Sequence, residues 1–147
     1  SVHFRMFPDV PEEWQNERLA EKWEKIRKVR RVITGALEIE RSEKRLRSSL
    51  QANPEVYLSS DYVVHIKDVA LAMVGGTSAV TVIEGMAPED AFTLDDVIGI
   101  GVVVKAAVGD KCERCWRILP EVGTEPDLPD LCGRCVAAVQ ALHPAAE

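Results

Sequence analysis

With 147 residues the chain has room for one domain or two small ones, and a composition of 46% apolar and 29% charged residues excludes an unfolded chain. A net charge of −6 excludes a wholly basic nucleic-acid module but leaves room for a locally basic one, and aromatic residues at 5% leave any core to Val, Ile, Leu and Ala. The longest apolar stretches, 69–74 and 98–104, are shorter than the ~20 residues a membrane span needs, and the absence of a charged-then-apolar leader at the start predicts a cytoplasmic protein with no membrane partner.

The charge divides unevenly, with balances of +2 over 1–55, −5 over 56–108 and −3 over 109–147, which suggests three segments with different tasks. Residues 1–11, with Pro8 and Pro11, are expected to be extended or irregular. Pro11, Glu12 and Glu13 then predict a helix start, because Pro is preorganised for the first turn and acids suit the positive end of the dipole. From 12 to about 48 there is no Pro and the only glycine is Gly35. Leu19, Trp23, Ile26, Ile33 and Leu37 recur at helical spacing, with Val29 and Ala36 widening the stripe. This predicts a long helix, in one piece or two, suited to a helical bundle whose other rods lie outside the chain. On its polar side Lys25, Arg27, Lys28, Arg30 and Arg31 crowd one stretch, and Arg41, Lys44, Arg45 and Arg47 another. Pairs such as Glu21–Lys25 and Glu24–Lys28 explain part of the first cluster as a solvated face. The run around Arg27, Arg30 and Arg31 lacks acids and is a candidate for phosphate contact.

The middle segment reads as a small α/β unit. A strand is expected at 55–58, and a helix from Asp61, as its cap, to about Met73, closed by Gly75 and Gly76. A β-branched strand follows over 78–83, then a polar connection over 86–96 and a second strand over 98–108. Gly75 and Gly76 lack the Lys and spacing of a phosphate loop, and His65 has no ligand partner nearby in sequence, so no catalytic residue is expected.

The strongest pattern is at the end of the chain. Cys112-Glu113-Arg114-Cys115 is separated from Cys132-Gly133-Arg134-Cys135 by a loop long enough for a hairpin. Two residues between thiols let each pair converge on one ion, and four thiolates complete a tetrahedron around Zn²⁺. A pair of disulfides would need an oxidising compartment, and a redox dithiol would leave one pair unexplained. The expectation is one zinc ion that is structural, because four protein ligands leave no position open for water. Arg114, Arg134, Lys111 and Arg117 can offset the net negative charge of such a cluster, or meet phosphates. Trp116 is expected to plug the ribbon with Ile118 and Leu131, the alternative being outward stacking on a base.

Three stretches taken together resemble bacterial isoleucyl-tRNA synthetases. Ala36-Leu37-Glu38, Arg41, Lys44 and Ser48-Ser49-Leu50-Gln51-Ala52 resemble the close of their anticodon-binding helical bundle. Gly109 to Trp116 with Cys132 to Cys135 resembles their C-terminal zinc finger, and Ser1-Val2-His3 with Phe7-Pro8 is similar to the segment entering the last helices. Arg47 stands where the family has a small Gly, and Gln51 where Glu is usual. The family's adenylate-forming signatures, of the His-Ile-Gly-His and Lys-Met-Ser-Lys-Ser kinds, have no match, so the chain looks like the C-terminal portion of a longer enzyme.

The resemblance implies an α+β chain in three parts: 1–54, the end of the anticodon-binding bundle; 55–108, a small α/β junction; and 109–147, a zinc finger with four cysteine ligands. It implies a monomer joined to the rest of a synthetase chain, which ligates isoleucine to its tRNA, with ATP bound only by the parent enzyme. The metal ligands would be Cys112, Cys115, Cys132 and Cys135. The tRNA-facing residues would be Arg27, Arg30, Arg31, Lys44, Arg114, Trp116, Arg117 and Arg134. Two other readings stand beside it: a DNA-binding finger like that closing the formamidopyrimidine-DNA glycosylases, and a zinc knot that only stabilises the chain end.

Overall fold

A computed structural model describes residues 2–142. Helix α1 spans Glu17–Ser42. It starts later than Glu12 because Pro11 leads into a single 3-10 turn, Glu12–Trp14, and the true cap is Asn16, whose Oδ1 accepts from the Leu19 N–H at 2.9 Å. It also ends earlier than expected. Lys44 adopts a left-handed conformation with φ 60°, and the Arg45 N–H reaches back to the Glu40 carbonyl at 2.9 Å, which closes the last turn. The Glu40 carboxylate holds the Arg45 guanidinium at 2.6 and 2.7 Å across that terminus.

A further 3-10 turn, Ser49–Gln51, carries a complete capping box. The Ser48 hydroxyl accepts from the Leu50 N–H, while the Gln51 side chain accepts from the N–H groups of Arg47 and Ser48 at 2.9 and 3.2 Å. Gln51 therefore performs the capping that a Glu would perform there.

Strand β1 (Glu55–Leu58) falls where expected. The helix after it is broken in two, α2 (Ser60–Ile66) and α3 (Leu71–Gly75), with Ser59 rather than Asp61 in the cap position; Gly76, at φ 68°, ends α3. Strand β2 (Thr81–Glu84) pairs parallel to β1, which makes β1–α2–α3–β2 a crossover unit. Strand β3 (Phe92–Leu94) lies in the stretch expected to be only a connection, and β4 (Val97–Val103) stops short of Val108. The sheet runs β2-β1-β4-β3, with β4 antiparallel to both neighbours.

The inner face of this sheet carries Val56, Leu58, Ile100 and Val102, and α1 lies across it with Ile26, Val29, Val32, Ile33, Ala36 and Leu37 buried. The helix was expected to suit a bundle whose other rods lie outside the chain; from Ile26 to Leu37 it also finds a partner inside the chain, in this core. Gly35 permits the close approach, since a Cβ there would stand 2.8 Å from the Phe92 ring. The turns before Ile26 differ. Leu19 and Trp23, expected in the buried stripe, remain 48% and 40% exposed, and Phe4, Met6, Phe7 and Trp14 are exposed before them.

The last part of the chain builds a second, smaller core. Strands β5 (Asp110–Lys111) and β6 (Ile118–Leu119) form a two-stranded hairpin, and α4 (Gly133–Leu142), which the sequence reading did not anticipate, closes it. Cys112, Cys132 and Cys135 cluster with Leu119 and Val122. At the root of the hairpin Gly109 has φ 116°, and a Cβ there would stand 2.3 Å from the Leu119 carbonyl carbon, so only glycine fits.

Candidate metal centre and the cleft beside it

The first Cys pair sits on the β5–β6 turn. The Trp116 N–H closes it onto the Cys112 carbonyl at 2.8 Å, and the Cys112 N–H returns to the Arg117 carbonyl at 2.9 Å. The second pair sits at the start of α4, where the N–H groups of Cys135 and Val136 bond the Cys132 carbonyl at 2.8 and 2.9 Å. The positive end of that helix thus faces the thiols of Cys132 and Cys135.

The sulfurs meet. All four Sγ atoms lie within 4.8 Å of one another, and Cys115 and Cys132 are 3.7 Å apart. A Zn–S distance of ~2.3 Å gives a tetrahedral edge of about 3.8 Å, so the spacing fits a single zinc ion. All four thiols are free rather than joined in disulfides, and three of them are buried. Burial pushes the Cys112 thiol up, but backbone N–H groups of Cys115, Cys132 and Arg114 outweigh this and hold it down at about 6. Burial, reinforced by the neighbouring thiols, pushes Cys132 up to about 12. A divalent cation held among the four sulfurs would favour the thiolate form of each.

Two arginines face the cluster. Arg114 Nη1 lies 3.7 Å from Cys135 Sγ, and the Cys115 thiol, as a hydrogen-bond partner, pushes the Arg134 guanidinium further up. The Cys132 N–H points to Cys112 Sγ at 3.4 Å. These contacts are the outer shell that offsets excess thiolate charge.

Trp116 is not a plug. Its backbone is left-handed, φ 64°, which turns the indole outward, and it is 62% exposed. Leu119, Val122 and Leu131 pack the interior instead. The indole lines an open cleft of about 370 Å³ with Lys111 and Ile118 on the ribbon side and Arg47, Ser48, Leu50 and Gln51 on the other. The Lys111 ammonium stands 5.8 Å from the indole ring centre.

Arg117, the next residue, faces the other way. Its guanidinium turns inward and donates from Nε to the Ser78 carbonyl at 3.0 Å, with Nη2 on the same oxygen. Of the helix arginines, Arg30 donates from Nε to the Val74 carbonyl at 3.1 Å and Arg31 pairs with Asp96, so both brace α1 against its neighbours while remaining on the surface. Arg27 is exposed, and Lys44 lies with Arg41 and Arg47 in a shallow groove at the end of α1. Arg47 and Lys111 were recognised in the sequence only as members of basic surroundings; what brings them together is the packing of the ribbon beside the Ser48 turn, which leaves no local signal.

A family described as the zinc finger found in FPG and IleRS matches residues 109–138. Over 97% of its length the chain is 48% identical to an isoleucine–tRNA ligase of Bartonella henselae. It is 48% identical to that of Agrobacterium fabrum and 47% identical to that of Mesorhizobium japonicum, again over 97% of its length. Its sequence fits a C-terminal segment of isoleucine–tRNA ligases. The chain spans about 15% of the length of these curated relatives. The four clustered cysteines all lie within the residues that match this zinc-finger family. Among the described residues no helix is long and apolar enough to cross a membrane.

Proposed function

We propose that this chain is the tRNA-facing C-terminal part of an isoleucine–tRNA ligase, and that it grips the anticodon stem-loop while the rest of the enzyme joins isoleucine to the tRNA with ATP. The reading is carried by one juxtaposition: an outward-turned Trp116 with Lys111 and Arg47 on the walls of one open cleft, beside a closed four-thiol cluster. Single-stranded loops are bound by this combination, in which an aromatic face accepts an unstacked base and nearby cations meet the backbone.

Zinc, held by Cys112, Cys115, Cys132 and Cys135, supplies fold stability rather than catalysis. Arg114 and Arg134 then serve the cluster first and, from exposed positions, RNA phosphates second. Lys44, Arg27 and the surface faces of Arg30 and Arg31 extend a phosphate-contacting track along α1. In this reading residues 1–54 close the anticodon-binding helices, 55–108 set a fixed spacing, and 109–147 form the finger. On the helix side of that spacing, α1 is held by the burial of Ile26, Val29, Val32, Ile33, Ala36 and Leu37. The exposed Phe4, Met6, Phe7, Trp14, Leu19 and Trp23 face the remainder of the synthetase, in a monomeric, cytoplasmic enzyme.

The test is direct binding of the zinc-loaded chain to an isoleucine-accepting tRNA and to a DNA duplex of equal length, over a range of salt. Preference for the tRNA, with affinity falling steeply as salt rises, is expected. Preference for the duplex would favour a DNA-directed finger. Equal and negligible binding to both would favour a purely structural zinc end, the reading that the inward contacts of Arg114 and Arg134 support.

A further inference from the structure

Ser78, between α3 and β2, is wholly buried, yet each of its polar groups has a partner from a different part of the chain. Its N–H donates to the Ala52 carbonyl at 3.2 Å. Its hydroxyl donates to the Leu50 carbonyl at 2.5 Å and accepts the Ile118 N–H at 2.7 Å. Its carbonyl accepts both donors of Arg117. Leu50 and Ala52 belong to the Ser48 turn, one wall of the Trp116 cleft; Arg117 and Ile118 directly follow Trp116 on the other wall. Among the described residues, the hydrogen bonds that tie 109–142 to the rest of the chain converge on Ser78. The apolar cores of the two parts are separate, so their mutual orientation rests on this polar node together with the backbone bond from the Ala107 N–H to the Gln51 carbonyl at 2.8 Å, just before the ribbon.

We propose that Ser78 is a positioning residue: it clamps the zinc ribbon to the Ser48 turn and so holds Trp116 and Lys111 opposite Arg47 across one cleft. The proposal deepens the RNA-binding reading and rests on it for its functional meaning. The residue type is demanded by the geometry. A hydroxyl donates and accepts at once, whereas Ala would leave the Leu50 carbonyl and the Ile118 N–H without their partner. Arg117 provides the ribbon's half of the joint through two donors that converge on the Ser78 carbonyl oxygen.

The experiment compares the zinc-loaded chain with its Ser78→Ala and Arg117→Ala variants, the second serving if the first fails to fold. Zinc content, amide exchange at Ile118, and residual dipolar couplings of the ribbon against the sheet are measured, together with affinity for a tRNA anticodon stem-loop. The expected result is one zinc retained, Ile118 exchange about tenfold faster, as befits one lost net hydrogen bond, and couplings that no longer fit a single orientation. Trp116→Ala should then weaken RNA binding less in the Ser78→Ala background than in the unaltered chain, the non-additivity that a shared cleft requires. Unchanged exchange and couplings in both variants would overturn the proposal. An unaltered chain that binds no RNA would overturn the functional reading alone, and the exchange and couplings would still decide the role of Ser78.

Discussion

Replacing Trp116 by Ala isolates what the cleft contributes to RNA binding. The side chain is 62% exposed and outside the ribbon's packed interior, so its loss should change folding stability by no more than ~0.5 kcal/mol. Alanine inherits the same left-handed backbone at φ 64°, so that strain cancels in the comparison. The interaction removed is a base stacked on an aromatic face, worth about 1–3 kcal/mol, which corresponds to a Kd raised roughly 5- to 150-fold. Trp116 carries no charge, so the slope of log Kd against log salt should stay constant. Arg47→Ala, from the opposite wall, should instead reduce that slope by about 0.7, the share of one phosphate contact on single-stranded nucleic acid. Trp116→Gly adds an internal control: glycine tolerates the left-handed conformation, so it should stabilise the ribbon by about 1 kcal/mol over Ala while losing the same affinity. The assay is a titration of a labelled anticodon stem-loop at several salt concentrations, with zinc content checked in each variant. An affinity within twofold of the unaltered chain, with zinc and fold intact, would refute the stacking argument.

Other consequences can be checked independently. Because the four-thiol cluster and the α1–sheet core are separate, a strong chelator should abolish amide protection in 110–142 while α1 and the four-stranded sheet keep theirs, as hydrogen-exchange mass spectrometry would show. Gly109→Ala combines a positive φ with a 2.3 Å approach to the Leu119 carbonyl carbon and should destabilise the ribbon by ~3 kcal/mol, measured as weaker zinc retention under chelator competition. Gly35→Ala should cost about 1–2 kcal/mol in a denaturant titration despite better helix propensity, since the new methyl meets the Phe92 ring at 2.8 Å; Phe92→Leu in the same chain should recover part of it. The hydrogen bond from Arg45 holds the Glu40 carboxyl below its usual range. Its contribution is therefore present above the unfolded carboxylate pKa of ~4.3 and lost as pH falls through the lower folded value, so Glu40→Gln should flatten that acid limb of the stability profile.

The sequence by itself determined whatever depends on neighbours a few residues apart. Two Cys-x-x-Cys pairs announce a tetrahedral cluster because each pair converges through its own tight turn, and the sulfurs do meet. The run from Glu17 to Ser42 is legible as helix, and Glu55–Leu58 as strand, since periodicity and propensity are local. Helix ends were misplaced because caps depend on single side chains, Asn16 at one terminus and the left-handed Lys44 at the other. Strand β3 escaped notice because only its pairing with β4 stabilises so short a segment.

Tertiary structure alone decided what faces what. Periodicity put Ile26 and Trp23 on one stripe, yet the core covers α1 only from Ile26 onward, so one is buried and the other is not. Arg117 and Trp116 are adjacent in the chain and similar in their surroundings by sequence. A left-handed backbone turns one to solvent, and the carbonyl of Ser78, 39 residues away, draws the other inward. Such choices rest on contacts between segments distant in sequence, and composition and spacing carry no record of them.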